Sequence, residues 1–454
     1  MATATHTLPG RQSRWMVDIA LEMRRKGMLG FFEDAWRSYG DLARIQVGPS
    51  TMITIIHPDH VQHVAVTHRD QYDKRASYDS VRTLLLGDGL VTSTGALWRR
   101  QRRLMAPFFT PRGIEQYYDV IAQETMRFQA RWERLAQQGE PVEVLGEMIA
   151  LTATIILKAL FSTESGAEIS EIKDAVETMI SFVSTRQMQP FHLPTRIRVG
   201  QNRVYWQARE HVKHYIDRVI AQRRALPDGT WPNDLLSKLM RARDEETGAV
   251  MSDQLLYDET LTLFFAGHET TARTLAFFWY ALGQNPEAAA QIHAEIDAVV
   301  SDVPPTIAQL KQLAVTLHGI KETLRLYPSA PMYVRDCIAN DEIGGAQVTP
   351  GTRMLMLPYL SHRHPAFWDA PERFDLDRWQ PAVEAARHPF AFHPFAAGQR
   401  VCIGNNFSLF ETHLIVAMLA RRFAPRPLPG HTPQFAMAGT LTSTNGLPMT
   451  IVPR

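Results

Sequence analysis

Residues 395–404 read Phe-Ala-Ala-Gly-Gln-Arg-Val-Cys-Ile-Gly and hold Cys402 between two glycines. A helical apolar pattern follows at once, so we expect Cys402 at a helix N-terminus. The unpaired backbone N–H groups and the helix dipole favour a thiolate there, which can be a nucleophile, a redox thiol or a metal ligand. No CxxC, second thiol or zinc-spaced histidine lies nearby. A single soft ligand for haem iron is therefore the simplest interpretation.

This stretch resembles the haem-binding loop of the cytochrome P-450 superfamily, Phe-x-x-Gly-x-Arg-x-Cys-x-Gly. Its fixed positions are filled by Phe395, Gly398, Arg400, Cys402 and Gly404. The family usually has Gly or another small polar residue where this chain has Ala396, so we expect a slightly different turn there. The resemblance implies that Cys402 is the axial ligand of haem b, and that Phe395 and Arg400 contact the cofactor.

The longest apolar helical stretch covers residues 252–282, with Leu-Phe-Phe-Ala-Gly-His-Glu-Thr-Thr at 263–271. Apolar residues on nearly every face predict a buried central helix. A glycine, a carboxylate and two threonines are unfavourable inside such a helix, and violations of this kind are expected at functional sites. Ala266 and Thr270 share a face, and we predict that the Thr270 hydroxyl bonds to the Ala266 carbonyl.

The same segment matches the family motif Ala-Gly-x-(Asp/Glu)-Thr-Thr. The resemblance implies that the helix lies over haem with Ala266 against the cofactor. It also implies that Thr270 holds dioxygen and its hydrogen-bonded water, while Glu269 links to the proton supply. His268 occupies the variable position, and we expect it to pack or to bridge to solvent rather than to ligate iron.

A scaffold signal follows at Glu322-Thr-Leu-Arg325, which continues into Leu-Tyr-Pro as the family's Glu-x-x-Arg helix does. The family's partner arginine lies in a Pro-x-Arg-Phe segment about two dozen residues before the cysteine. The literal Pro-Glu-Arg-Phe at 371–374 matches the family's upstream Pro-x-x-Phe, so we take Leu-Asp-Arg-Trp at 376–379, with Leu376 in place of the usual Pro, as the counterpart. Glu322, Arg325 and Arg378 are therefore predicted to form a buried structural triad.

Basic residues are candidates for the propionates of haem. Helical spacing places Trp98 and Arg102 on one face, and an indole N–H with a guanidinium suits a buried carboxylate. Trp-x-x-x-Arg recurs in the family in this role, and Arg335 and Lys74 are similar candidates. For Arg99, Arg100 and Arg103 a solvated basic face is the simpler interpretation.

The substrate pocket is the least specific part of the sequence. Side chains from the central helix, the segment after Pro328 and a late loop are predicted to line it: Leu263, Phe264, Met332, Tyr333, Val334 and Leu441. Plain core packing explains any one of them equally well. By resemblance, residues 189–194 connect a mobile lid. Phe191, Leu193 and Trp206 there contact substrate or a membrane surface, or merely pack the lid.

The expected fold is mainly α with a smaller β-rich lobe (α+β), a cytochrome P-450 fold with a long central helix over haem. Length alone suggests about three domains. The resemblance instead implies one domain over 1–454, with its β-rich lobe at approximately 42–70, 329–394 and 425–454. Leu42–Val47 and Met52–Ile56 are predicted to form a hairpin.

Composition excludes some partners and locations. A net charge of +1 with 21% charged residues gives no global bias toward nucleic acid. The two cysteines, Cys337 and Cys402, fit a reducing compartment better than a disulfide. Residues 1–29 mix charges among apolar residues and contain no run long enough to span a membrane. We therefore expect a soluble, cytoplasmic enzyme of the bacterial type.

The resemblance implies a haem-thiolate monooxygenase that inserts one atom of O2 into a C–H bond of an apolar substrate, such as a fatty acid, terpenoid or steroid. No flavin or ferredoxin segment follows Arg454, so electrons are expected from NAD(P)H through a separate ferredoxin or flavodoxin with its reductase. The arginines proposed to dock that partner are Arg99, Arg100, Arg103, Arg421 and Arg422. A peroxide-driven peroxygenase and a non-enzymatic haem-based sensor or carrier are the alternatives.

Overall fold

Helices dominate the chain, as predicted. The computed structural model describes residues 8–13, 16–163, 166–188, 193–301 and 304–454. The α-helices are α1 Met16–Tyr39, α2 Pro58–Gln62, α3 Arg75–Val81, α4 Gly95–Met105, α5 Pro111–Ile114, α6 Tyr118–Gln138, α7 Val144–Phe161, α8 Gly166–Met188, α9 Gln201–Ala225, α10 Leu235–Arg241, α11 Asp253–Gln284, α12 Pro286–Val299, α13 Ile307–Leu310, α14 Ala314–Leu326, α15 Pro358–Ser361, α16 Pro381–Ala386 and α17 Asn405–Ala420.

Short strands form one larger sheet and three small ones. The strands are β1 Gly10–Ser13, β2 Leu42–Val47, β3 Ser50–Ile55, β4 Tyr72–Asp73, β5 Pro141–Glu143, β6 Tyr333–Cys337, β7 Asp341–Ile343, β8 Ala346–Val348, β9 Arg353–Met356, β10 Arg426–Pro427, β11 Phe435–Ala438, β12 Thr440–Ser443 and β13 Pro448–Thr450. The larger sheet has the order β1-β2-β3-β9-β6-β4, and the small ones are β10-β13-β5, β11-β12 and β7-β8. Strands β1, β4 and β5 lie outside the ranges predicted for the β-rich lobe.

The predicted hairpin is present. β2 and β3 are antiparallel, with Leu42 opposite Ile55 and Val47 opposite Ser50. β3 begins two residues before the predicted Met52. The hairpin continues into the sheet because β3 pairs in parallel with β9, and β9 pairs with β6. This brings the strand that carries Tyr333 and Arg335 beside the N-terminal part of the chain.

The central helix α11 runs two residues beyond the predicted end at Leu282. Its N-terminus is fixed by Ser252, whose side chain accepts a hydrogen bond from the backbone N–H of Leu255. The helix is buried along most of its length and packs against α7. α7 is the one described helix that is long and apolar enough to cross a membrane, and 72% of that segment is buried in the fold.

The stretch before α17 folds into a turn that projects Cys402 toward α11. Gly398 has φ 68°, and a Cβ atom there would lie 1.9 Å from the Ala65 carbonyl oxygen. Only glycine allows this close approach to the helical turn at 63–67. The backbone N–H of Cys402 donates to the Phe395 carbonyl and closes the turn. The position of the cysteine is therefore set by backbone contacts.

The connection between α8 and α9 agrees with the predicted break in the helical pattern. Phe191 lies outside the described residues. Leu193 is exposed, and Trp206 is half-buried, with its indole N–H donating to the Thr195 carbonyl. The segment from 193 onward is thus folded on itself.

Candidate active site

A cavity of about 280 Å³ separates α11 from the loop that carries Cys402. Ala266 and Thr270 border it on the α11 side, and Phe395 and Cys402 border it on the loop side. Most of the remaining lining is apolar and comes from segments that are distant in sequence. The cavity is therefore bordered by the Cys402 loop on one side and by α11 on the other, and the side chains between them are mostly apolar.

The thiol of Cys402 is accessible from this cavity although the surrounding protein encloses it. Burial raises the pKa of the thiol, while the backbone N–H of Gly404 and the nearby Arg102 lower it. α17 begins only at Asn405, so the helix N-terminus lies beyond the cysteine. Gly404, the N-cap residue of α17, favours the thiolate as expected, but the opposing effect of burial on the pKa is larger. A bound metal ion would deprotonate a coordinating thiol outright.

Four cations gather at one end of the cavity: Lys74, Arg102, Arg335 and Arg400. Burial, followed by the charges of Arg335 and Arg400, holds the pKa of Lys74 well below its usual value. Burial likewise lowers the pKa of Arg400 to about 10, helped by the charge of Arg335. The Arg400 guanidinium lies 3.8 Å from the ring centre of Trp98. Arg335 lies in a smaller adjoining pocket that it shares with Lys74 and Trp98.

None of these cations forms an ion pair within the described part of the chain, although the nearby Asp73 carboxylate partly offsets the charges of Lys74 and Arg400. Arg102 donates to the Val401 carbonyl at 2.9 Å, and Arg400 donates to the Ser93 carbonyl at 2.9 Å. A cluster of buried cations is costly unless an anion joins it. Two carboxylates on an otherwise apolar plane would neutralise the cluster and fill the space above Cys402. The residues present therefore fit haem, with its propionates toward Lys74, Arg102, Arg335 and Arg400.

The hydroxyl of Thr270 donates to the Ala266 carbonyl at 2.8 Å, the contact predicted from the sequence. The Thr270 carbonyl also accepts hydrogen bonds from the hydroxyls of Ser329 at 2.8 Å and Thr274 at 3.0 Å. Side-chain hydroxyls that bond to helix carbonyls disturb the regular ladder. The helix therefore has a polar groove at the point where it faces Cys402.

Glu269 points to the other side of α11. Its carboxylate accepts hydrogen bonds from Arg273 at 2.6 Å and from the Thr440 hydroxyl at 3.2 Å. Arg273 also donates to the Leu441 carbonyl at 3.2 Å, so the ion pair ties α11 to the start of β12. Glu269 does not border the cavity. Its carboxylate lies between the part of α11 that borders the cavity and the protein exterior.

His268 is a packing residue, as expected. Its ring stacks on Phe264 with centroids 4.7 Å apart, and its Nδ1 lies 2.8 Å from the Phe264 carbonyl oxygen. Burial lowers the pKa of the imidazole, so the neutral form prevails. It does not border the cavity, and its backbone carbonyl accepts the hydroxyl of Thr152 on α7 at 2.8 Å.

The predicted structural triad meets behind the cysteine loop. Glu322 and Arg325 are fully buried and joined at 2.7 Å, and Arg378 lies 3.3 Å from the Glu322 carboxylate. Arg325 also donates to the carbonyls of Pro371 and Arg373. The literal motif at 371–374 thus contributes backbone acceptors, while Arg378 contributes the charge. Every buried charge in the cluster has a partner.

Comparison with known proteins agrees with this geometry. The profile of the family described as Cytochrome P450 matches residues 8–451. The chain belongs to the cytochrome P-450 family. It is therefore an oxidoreductase that uses haem with a thiolate ligand to incorporate oxygen from O2.

Individual relatives support the same assignment. This cytochrome P-450 is 37% identical over 414 residues to "Cyclooctatin synthase" of Streptomyces melanosporofaciens, covering 90% of this chain and 88% of the relative. It is 36% identical to "Cyclooctat-9-en-7-ol 5-monooxygenase" of the same organism, covering 87% and 84%. Among solved structures, the cytochrome P450DA heme domain superposes with a TM-score of 0.89 at 26% identity, covering 99% and 98%.

The pocket residues predicted from the sequence are only partly correct. Leu263 and Tyr333 border the cavity of this cytochrome P-450. Met332 and Val334 do not, because alternate residues along an extended segment face opposite ways and these two pack in the cluster around α1. Phe264 is turned away by one helical step toward His268. Leu441 is wholly buried in the main core.

Several lining residues were missed. They are apolar or small, and they come from the loop after α3, from α7, from α10 and from the segment after α14: Leu90, Val91, Ile156, Leu235, Ser329 and Ala330. None of them lies in a motif, and their convergence depends on how distant helices pack. Only the position of Ser329 and Ala330 directly after the Glu-x-x-Arg helix was a usable signal.

The predicted basic docking surface is largely neutralised. Arg103 pairs with Asp244 at 2.8 Å and Arg100 lies 3.6 Å from the same carboxylate. Arg421 pairs with Asp297 at 2.7 Å, and Arg422 pairs with Glu133 at 3.3 Å. The prediction is therefore wrong for these four residues. Arg99 remains exposed and without an acidic partner within the described ranges.

Proposed function

We propose that this cytochrome P-450 hydroxylates or epoxidises a terpenoid. The observation that carries the proposal is the wall of the cavity opposite Cys402, which is built from aliphatic side chains such as Leu90, Ile156 and Leu235. Such a wall binds a bulky hydrocarbon through its shape and offers few groups to a polar substrate. The name of one relative, an alkenol monooxygenase, supports the same substrate class.

Haem bound through the Cys402 thiolate would supply the iron that binds and activates O2. The protein itself positions the cofactor and the substrate and excludes water from them. Phe395 and Ala266 hold the two faces of the cofactor space, and the cation cluster around Arg400 neutralises its acidic edge. The aliphatic wall excludes water from the substrate and presents a C–H bond toward the Ala266 side.

Protons reach the site from α11. We infer that the Thr270 hydroxyl, placed over the cavity, holds a water molecule on the α11 side of the site, where a proton would be needed. Glu269 lies one residue away with its carboxylate on the outer side, where Arg273 and Thr440 hold it. A change of its side-chain torsions would carry a proton from the exterior toward Thr270.

Thr270→Ala and Glu269→Gln test these roles. Each variant should lower the product formed per NADPH about tenfold or more and release hydrogen peroxide instead, because oxygen is activated without timely protonation. The product formed per NADPH is the coupling of the reaction. Arg273→Gln should change how this coupling depends on pH, since it frees the Glu269 carboxylate. Unaltered coupling in Glu269→Gln would remove Glu269 from the path. Turnover driven as well by peroxide as by a reductase system would favour the peroxygenase alternative.

Substrate class is tested by titrating the holoenzyme with cyclic terpenes, terpene alcohols, fatty acids and steroids of matched size. A substrate should displace water from the iron and shift the Soret band, and the products should carry one new oxygen atom from O2. Terpenoids should bind at least tenfold more tightly than linear fatty acids of equal carbon number. Tighter binding of the linear acids would contradict the proposal.

We infer that a separate ferredoxin or flavodoxin with its reductase delivers the electrons from NAD(P)H. Arg99 on α4 and Arg112 on α5 are exposed, and neither has an acidic partner within the described ranges. Both helices adjoin the cysteine loop, since α4 carries Trp98 and α5 packs on α17. Arg99→Glu with Arg112→Glu should raise the KM for an acidic ferredoxin in low salt, whereas Arg134→Glu should not.

A soluble, cytoplasmic location stays a prediction. Its support is that the apolar helix α7, Val144–Phe161, is mostly buried against α11 and is occupied by core packing. Fractionation of the native host would test it, with the activity expected in the supernatant after membranes are removed in high salt.

A further inference from the structure

A cluster of metal-ligating side chains lies in the β-rich lobe, apart from the site at Cys402. Among the described residues one group of His, Cys, Asp or Glu brings at least three ligand atoms within 4.8 Å of one another. It consists of His63, His68 and Asp341. Two imidazoles and a carboxylate form a ligand set that divalent transition metals favour. We call these three side chains the His-Asp cluster.

The backbone between the two histidines is wound more widely than an α-helix. Residues 63–67 form a π-helical turn, in which the backbone N–H of His68 donates to the His63 carbonyl at 2.8 Å. This i→i+5 bond places both side chains on one face, whereas an α-helix would turn them about 140° apart. The two rings are stacked with centroids 3.9 Å apart. Such turns are rare and frequently occur at functional sites.

A single buried carboxylate receives both imidazoles. His63 Nε2 lies 2.7 Å from Asp341 Oδ2, and His68 Nδ1 lies 2.7 Å from Asp341 Oδ1. The Asp341 side chain is only 2% exposed, whereas those of His63 and His68 are 20% and 36% exposed. An ion could therefore enter on the histidine side and keep a water molecule as its fourth ligand.

The carboxylate of Asp341 has more hydrogen-bond donors than it can accept. Besides the two imidazoles, the Tyr72 hydroxyl and the backbone N–H of Glu342 donate to it. The Gln71 amide lies 2.9 and 3.3 Å from its two oxygens and satisfies them only when the amide nitrogen faces the carboxylate. Five donor groups thus meet a carboxylate with about four lone-pair sites. A metal ion in place of the two imidazole protons removes this surplus.

We propose that the His-Asp cluster binds one Zn²⁺ ion through His63 Nε2, His68 Nδ1 and a carboxylate oxygen of Asp341. The ligand atoms of a tetrahedral zinc ion lie about 3.4 Å apart. This separation falls between the 2.7 Å contacts of the cluster and its 4.8 Å limit. Magnesium and calcium prefer oxygen ligands and do not suit two imidazoles. The inference is independent of the proposed function, because the cluster does not border the cavity.

The ion would join three segments of the β-rich lobe. Asp341 begins β7, which pairs with β8, and Tyr72 lies in β4, which pairs with β6. The turn that carries the histidines lies against the cysteine loop, because the Ala65 carbonyl adjoins Gly398. Zinc should therefore stabilise the folded holoenzyme by tying the β7–β8 hairpin to the support of the cysteine loop.

Equilibrium dialysis of the holoenzyme, without an affinity tag, against Zn²⁺ and elemental analysis test the proposal. Wild type should bind one zinc ion per haem, and its zinc-edge X-ray absorption spectrum should show imidazole ligands. His63→Gln with His68→Gln, and separately Asp341→Asn, should lose this ion at a zinc concentration that saturates wild type. Tyr72→Phe removes a hydrogen bond to the ligand carboxylate and should lower zinc affinity about tenfold.

A second carboxylate with two histidines supplies the matched control. Asp59 lies 3.6 Å from His57 Nδ1 and 3.1 Å from His388 Nε2, but its side chain is 65% exposed. His57→Gln with His388→Gln should leave zinc binding unchanged. The Soret band under carbon monoxide checks that each variant is folded. Should the double variant of the cluster fail to fold, His68→Gln alone, at the more exposed position, should still lose the zinc ion.

Stability measurements provide an independent readout. Zinc at 100 times its dissociation constant should lower the unfolding equilibrium constant of wild type about 100-fold. It should not change that constant in the ligand variants, and magnesium should not change it in wild type. Wild-type holoenzyme that binds no zinc, or ligand variants that bind as much as wild type, overturn the proposal. So does a stability of the wild type that responds to pH but not to zinc, which would make the cluster a hydrogen-bonded proton site.

Discussion

The wall of the cavity that carries Cys402 and the wall that faces the substrate are held in different ways. Behind Cys402, buried charges and backbone contacts fix each part: Glu322 with Arg325 and Arg378, and Gly398 against Ala65. On the substrate side, aliphatic side chains from remote helices meet, and two buried carboxylates of α11, Asp258 and Glu259, accept hydrogen bonds from the backbone of the loop at 88–90. We therefore expect the wall behind Cys402, which we call the rigid wall, to tolerate almost no substitution. The other wall, which we call the substrate wall, should tolerate changes in side-chain size.

Glu322→Gln should strongly destabilise the rigid wall. The carboxylate is fully buried and accepts bonds from Arg325, the Trp379 indole and the Asp375 N–H. Its loss leaves two buried guanidinium groups without a counter-charge, which should lower the free energy of unfolding by about 3–5 kcal/mol. Urea denaturation measures this change in the free energy of unfolding. Glu384→Gln, which removes the partly exposed partner of Lys321, should cost at most about 1 kcal/mol. Equal losses would contradict the comparison.

Glu259 makes the substrate wall sensitive to pH. Burial raises the pKa of this carboxyl to about 8, while in the unfolded chain it ionises near pH ~4.3. The folded state therefore binds the extra proton between these values. Its contribution to stability is complete below the lower pKa and is lost as pH rises toward the upper one, on the order of 5 kcal/mol. Unfolding at several pH values should show this loss in wild type and not in Glu259→Gln.

The difference between the walls also explains what the sequence could reveal. Cys402, Thr270 and Glu322 lie in motifs whose spacing reflects local geometry, and α11 was predicted to within two residues at its end. Ile156 and Leu235 lie in ordinary apolar helices, so nothing local shows that they meet over Cys402. Met332 and Val334 were predicted to line the pocket together with Tyr333. Their side chains face the opposite way, which only the strand geometry decides.

Ile156→Phe should reshape the substrate wall without unfolding it. The Ile156 side chain lies 3.1 Å from the point where Gly267 would carry a Cβ atom, so the site is already close-packed beside α11. A larger ring must extend into the cavity. We expect terpenoid affinity, measured by the Soret shift, to fall about tenfold, with a loss of stability of about 1–3 kcal/mol. Exposed Val383→Phe is the control. Unchanged affinity would remove Ile156 from the pocket.

Ala396→Gly should strengthen the rigid wall slightly. Ala396 has φ 61°, so the turn keeps a left-handed conformation that costs a residue with a Cβ atom about 1 kcal/mol. The expected difference in turn geometry at Ala396 therefore takes the form of backbone strain. Glycine should raise the unfolding free energy by about 0.5–1 kcal/mol. Ala397→Gly, at an extended φ of −141°, should lower it instead.

The most direct test of the account is the absorption spectrum of the reduced holoenzyme under carbon monoxide, compared for wild type, Cys402→Ser and Cys337→Ser. We predict a strongly red-shifted Soret band in wild type and in Cys337→Ser, because we propose the Cys402 thiolate as the ligand of the haem iron. Cys402→Ser should lose that band while keeping a folded protein. A red-shifted band that survives in Cys402→Ser, or that disappears in Cys337→Ser, would contradict the assignment of the site.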